Sequence, residues 1–200
     1  MAEDVLAKEF AARYGMTPDL HIPIAARTID AISTYIGTFS RIFPNSDNAL
    51  MVTPYSIPLP NKKLPIWKVK GVEILHSHRQ VWVRVNYTNY RKAYAHAFPE
   101  EEINDLVVDH VMNRRVARLK GYEYLRVTLI SRAANSSSGN FTEKYGFAYH
   151  KSQHSKYLDI EKQPSIQYCD KADIVKMLNI NTGGKIQEGI NEVLYYFYEQ

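Results

Sequence analysis

Residues 106–145 constrain this chain more than any other stretch. An apolar run beginning at Leu106 carries Asp109 and His110 as neighbours, and a basic segment then turns at Lys120-Gly121. A second apolar run covers Leu125–Ile130, and Ser131-Arg132-Ala133-Ala134-Asn135 opens a helix. Two apolar runs of strand length on either side of a turn predict a hairpin. A serine immediately before a new segment predicts an N-cap. The local expectation is therefore strand, basic loop, strand, helix.

The flanks read less sharply. Val5, Leu6, Phe10 and Tyr14 recur at a helical period, as do Ile24, Ile29, Ile32 and Ile36, so residues 1–43 are expected to form a helical extension. Pro44, Pro54, Pro58, Pro60 and Pro65 exclude a regular helix over 44–65 and predict an extended connector. Alternation in Ile66–Lys70, Val72–His76 and Val81–Tyr87 predicts a further hairpin. A short helix is expected from Pro99, and 146–168 is expected to be loop with short strands. Asp170 can cap a helix over Lys171–Leu178, and Gly183-Gly184 separates a last amphipathic helix. The expected organisation is a domain over 66–168 with its core at 106–145, and a helical segment over 169–200 packed on it.

Composition narrows the class. With 200 residues, 45% hydrophobic and 23% charged, the chain is globular in character. A single cysteine, Cys169, excludes an internal disulfide and a cysteine-built zinc site. The N-terminal residues lack the pattern of a secretory signal, and no apolar run approaches the roughly 18 residues that span a bilayer. A cytoplasmic protein is expected, with any action elsewhere needing a specialised delivery route.

Asp109, His110 and Asn135 are the residues with chemistry to offer. Magnesium takes oxygen ligands and keeps several waters, so one carboxylate and one carboxamide suffice beside a phosphate. Their separation, 135 − 109 = 26 positions, is one that a hairpin followed by a helix can close. The imidazole of His110 is the natural proton acceptor at neutral pH. Side chains of strand neighbours point to opposite faces, so the strand must end or bulge there for both to serve one substrate.

These residues, with the string Ser131-Arg132-Ala-Ala-Asn135-Ser-Ser-Ser-Gly139, resemble the HNH (His-Me finger, ββα-metal) nucleases over about 40 of the 200 residues. The resemblance implies an α+β fold: a ββα-metal core with an additional β-hairpin and flanking N- and C-terminal helices. It implies a metal-dependent endonuclease acting on DNA, RNA being the alternative substrate, with Asp109 and Asn135 as metal ligands and His110 as general base. Magnesium is the implied metal, with manganese or zinc as alternatives. The family's middle Asn has no counterpart, since Arg126 stands there. Tyr122, Glu123, Tyr124 and Asn113 are the candidates for its role. A toxin, effector or phage-type nuclease fits, and a toxin would have an immunity protein as partner.

Charge agrees with an anionic substrate. The net charge is only +4, yet Arg114, Arg115, Arg118, Lys120, Arg126 and Arg132 face one acid, Glu123, between Val111 and Arg132. All six are candidate phosphate contacts. His76 with His78 in a turn, and His150 with His154 at helical spacing, are weaker metal candidates. Ser136–Ser138 lack a nucleophile elbow. The rival readings are a non-catalytic nucleic-acid-binding module that keeps the ββα shape, and an interaction domain that oligomerises through its Tyr-rich C-terminal helix.

Overall fold

The structure, a computed structural model, describes residues 2–55, 72–103, 105–180 and 191, with backbone alone for 19 and 137–145. The chain is mixed α+β, built on a curled antiparallel sheet. In chain order its elements are α1 (Val5–Arg13), β1 (Pro23–Ala26), α2 (Ile29–Ala31, running on as one wide turn to Ile36), β2 (Gly37–Arg41), β3 (Ala49–Pro54), β4 (Gln80–Arg84) and α3 (Tyr90–Ala97). There follow β5 (Leu106–His110), α4 (Arg114–Lys120), β6 (Tyr124–Ser131), α5 (Arg132–Ser152), α6 (His154–Tyr157), β7 (Ile166–Tyr168) and α7 (Lys171–Met177).

Strand β6 organises the sheet. One of its edges pairs with β4, from Val81 opposite Val127 to Arg84 opposite Tyr124. The other edge is shared end to end: β1 takes Tyr124 and Leu125, and β5 takes Val127 to Ser131. From β4 the sheet continues through β3 to β2, and from β1 it continues to β7. Seven of the eight β6 residues are buried, the polar Arg126 and Thr128 among them, because the strand is covered on both faces.

The expected helical extension over 1–43 is corrected here. Within it the helical pieces are α1, a 3₁₀ turn at Pro18–Leu20 and the turn over 29–36, and β1 and β2 are strands of the sheet. Ile24, placed above on a helical face, lies in β1, where Ala25 and Ala26 are likewise buried between β6 and β7. Pairing on both edges outweighs a weak helical period. Asp4 ties this segment down: Oδ1 accepts from Ala7 N as the cap of α1, and Oδ2 accepts from Ser165 N and Ile166 N.

Other expectations also shift. β3 lies inside the proline-rich connector, and Gly37 in β2 allows its close approach, since a Cβ there would meet Thr53 O at 2.1 Å. Val72–Ile74 is a 3₁₀ turn rather than a strand. The helix expected from Pro99 is absent among the described residues, and α3 precedes it instead. The basic loop is α4, capped by Asn113 and closed by Gly121 at φ 76°. Helix α5 runs on to Ser152, into the region expected to be loop. The Ile66–Lys70 strand and the final helix lie outside the described residues.

Three hydrophobic clusters hold the layers together. One packs α3 on the sheet through Ala93, Tyr94, Val81, Val108 and Val127. Another packs α4 and α7 through Val116, Ile174, Val175 and Leu125, and a third gathers Trp82, Tyr124, Ile32 and Ile36. Among the described residues no helix is long and apolar enough to cross a membrane.

Candidate active site

The expected strand–strand–helix succession is present, with α4 inserted between its strands. β5 and β6 pair antiparallel without a bulge, Asp109 opposite Thr128 and His110 opposite Val127. Ser131 ends β6 and caps α5, its Oγ accepting from Ala134 N at 3.1 Å. Helix α5 then packs against both β5 and β6. Asn135 is half-buried near the start of this helix, and Arg132 beside it is exposed.

Strand alternation separates the two residues of the Asp-His pair. His110 turns to the side of Val108 and Val127, where Tyr90 of α3 meets its ring edge-on at a centroid distance of 4.4 Å. Asp109 turns toward α7. There Lys176 Nζ lies 2.9 Å from Asp109 Oδ2 and donates to the His110 carbonyl oxygen at 2.8 Å. Because β5 ends at His110, the two side chains still approach, with Asp109 Oδ1 at 3.9 Å from His110 Nδ1. That distance is electrostatic contact, beyond hydrogen-bond reach.

Burial sets the protonation of this cluster. His110 is 4% exposed, and its Nε2 is buried with no hydrogen-bond partner among the described residues. Burial lowers the imidazole pKa from its ordinary value against the pull of Asp109, and Arg114 and Lys176 lower it further. Burial alone would raise the Asp109 carboxyl. The adjacent His110 ring and the Lys176 ammonium outweigh that and hold it well below the usual carboxylate range.

The donor types suit a hard cation. Asp109 keeps a side-chain exposure of 22%, and its Oδ1 is not taken up by a hydrogen bond from His110. A carboxylate and a carboxamide supply the oxygen donors that magnesium and manganese favour. Among the described residues no three His, Cys, Asp or Glu side chains converge on one point, so any ion here would rely on few protein ligands. His150 and His154 lie in two successive helices rather than on one helical face. Gln153 ends α5 between them, and His150 Nδ1 pairs with the Tyr157 hydroxyl.

The six cations divide by burial. Arg115, Arg118 and Arg132 are exposed and Arg114 is half-buried, with Arg118 Nε donating to Asn86 Oδ1. Lys120 and Arg126 are corrected: both are interior. Lys120 Nζ donates to Gln167 Oε1 at 2.8 Å, and burial pushes its pKa down to about 8 against the pull of Asp170 and Asp173. Arg126 is 2% exposed and binds the carbonyls of Leu75 and Ile74, and burial lowers its pKa to about 10.

The candidates for the middle Asn role are engaged in the fold. Asn113 Oδ1 accepts from Arg115 N and Val116 N, and Tyr124 Oη donates to Asp47 O. Glu123 pairs with Arg84, and Tyr122 is buried under the Arg27 guanidinium. Lys176 and Tyr90, which contact the pair directly, are absent from the sequence reading. Tyr90 belonged to a legible period, with Ala93, Tyr94 and Ala97 on one face of α3. No local signal could have found Lys176, 66 positions from His110.

The chain matches no protein-family model, no curated protein and no solved structure.

Proposed function

We propose that this chain is a divalent-metal-dependent endonuclease of the HNH type that hydrolyses DNA. The observation that carries this reading is the meeting of Asp109 Oδ1 and His110 Nδ1 at 3.9 Å, at the end of a strand whose partner runs directly into the helix bearing Asn135. A carboxylate, an imidazole and a carboxamide in that succession suit metal-assisted phosphodiester hydrolysis.

Asp109 and Asn135 would hold the ion. When bound, it would polarise the scissile phosphate and offset charge on the departing oxygen. As general base His110 would take the proton of the attacking water at Nε2, which is buried and without a hydrogen-bond partner among the described residues, so this role requires Nε2 to open to the substrate's water. Burial keeps that ring neutral at pH 7, as a base must be. Tyr90, edge-on to the imidazole, holds its plane. Arg115, Arg118 and Arg132, exposed on α4 and at the start of α5, supply a positive surface for the phosphate backbone.

The ion pair between Asp109 and Lys176 favours a second reading. In it the carboxylate is a structural counter-ion, and the element binds nucleic acid without cleaving it. One assay separates the two: supercoiled plasmid with magnesium or manganese against EDTA, using wild type, His110→Ala and Asn135→Ala. Metal-dependent nicking that is lost in both variants supports the nuclease. Binding without nicking in either metal supports the module.

A further inference from the structure

Arg126 carries a positive charge into the interior, where no carboxylate pairs with it among the described residues. Its guanidinium donates to the carbonyls of Leu75 and Ile74, both neutral acceptors, and the fork keeps further donors. The groups whose charge could offset it are the Cys169 thiol and the Tyr94 hydroxyl. Burial raises the pKa of both, so they are uncharged at pH 7. A guanidinium does not shed its proton in a protein, and buried charges are otherwise paired. The same side chain borders a cavity of about 240 Å³, more than the roughly 150 Å³ that encloses a benzene ring. Thr128, buried two residues along the same face of β6, lines that cavity with a hydroxyl, and Val81, Phe98 and Leu129 give it apolar wall. Glu73 and Glu101 also line it, but both are exposed, and Glu101 Oε2 accepts from Tyr94 Oη at 2.9 Å. Arg79, the other cation of the lining, is exposed and engaged by the Ala97 carbonyl at 2.8 Å and by Glu100 at 3.5 Å. The uncompensated charge therefore lies deeper than the acids.

The geometry points to a binding site for a small organic monocarboxylate, whose carboxylate accepts from the Arg126 guanidinium and the Thr128 hydroxyl while an apolar body lies against Phe98 and Leu129. A guanidinium matches a carboxylate in shape as well as in charge, and the pairing is strong in a site shielded from water. One buried positive charge offsets one negative charge. Glu73 and Glu101 repel a second, so a dicarboxylate is disfavoured. Neither Asp109 nor His110 lines the cavity, so this binding is separate from the proposed hydrolysis.

The test uses the full chain with benzoate, benzyl alcohol and isophthalate at constant ionic strength, read by titration calorimetry and thermal shift. Benzoate is expected to saturate a single site and to raise the melting temperature. Benzyl alcohol keeps the ring without the charge, and isophthalate adds a second carboxylate. Each should bind about tenfold more weakly than benzoate, or worse. Thr128→Val, which exchanges the hydroxyl for a methyl, should weaken benzoate about fivefold. Arg126→Met should abolish benzoate binding. Should that variant fail to fold, Glu101→Gln reads the same site from its exposed side: isophthalate affinity rises several-fold and benzoate affinity changes less. No saturable benzoate binding, equal binding of benzoate and benzyl alcohol, or full benzoate affinity in Thr128→Val overturns the site. Isophthalate binding as tightly as benzoate overturns its restriction to a single negative charge.

Discussion

Asp109 and Lys176, on opposite sides of α5 in the sequence, form an ion pair of 2.9 Å with side-chain exposures of 22% and 7%. Lys176 also donates to the His110 carbonyl, so one ammonium clamps α7 to the last residue of β5. Removing one partner of a buried pair leaves the other charge uncompensated, at about 3–5 kcal/mol. Lys176→Ala is therefore expected to lose about 3 kcal/mol of stability in a denaturant titration. Asp109→Asn in the same chain should recover part of that loss. A single-variant loss below about 1 kcal/mol would mean that water already solvates the pair.

Acid should weaken the fold in two stages. The His110 pKa is lowered in the folded chain, so the unfolded state binds the proton first, and stability falls as pH drops below about 6.5. The Asp109 carboxyl is also held low, so its contribution is present above about pH 3.9 and is lost as pH falls further. Urea midpoints measured from pH 8 to pH 3 check this. His110→Gln should flatten the upper stage and shrink the lower one, since the ring helps Lys176 hold the Asp109 carboxyl low. In a nuclease, the acid limb of the rate profile should lie below pH 6.5 for the same reason.

Burial sorts the arginines into two behaviours. Arg115→Ala with Arg118→Ala should weaken DNA binding and reduce the slope of log K against log salt by up to about 2, with stability nearly unchanged. Arg126→Met should do the reverse, costing about 2–4 kcal/mol because the carbonyls of Ile74 and Leu75 lose their donor. A full salt slope in the Arg115/Arg118 variant would show that α4 does not face the phosphate backbone. Fluorescence anisotropy on a short duplex measures the binding, and urea titration measures the stability.

Local chemistry made part of this fold legible. Ser131 before Ala134 announced the start of α5, Asp170 before Asp173 that of α7, and the apolar run at Leu125–Ile130 a buried strand. Helix α4 was legible too, through Asn113 at its start and Gly121 at its end, although its charge density read as loop. Ile24 was misleading because its period suits a helix while its partners are strands on both sides.

The order of residues alone determined that Asp109, His110 and Asn135 fall on strand, strand end and helix, because capping and apolar runs act within a few positions. Only the tertiary structure decided what those groups face. It set Lys176 on the carboxylate, Tyr90 on the imidazole, and Arg126 and Lys120 inside, since each contact joins elements far apart in the chain. Burial and charge pairing are properties of the packed sheet and helices, and no window of neighbouring residues contains them.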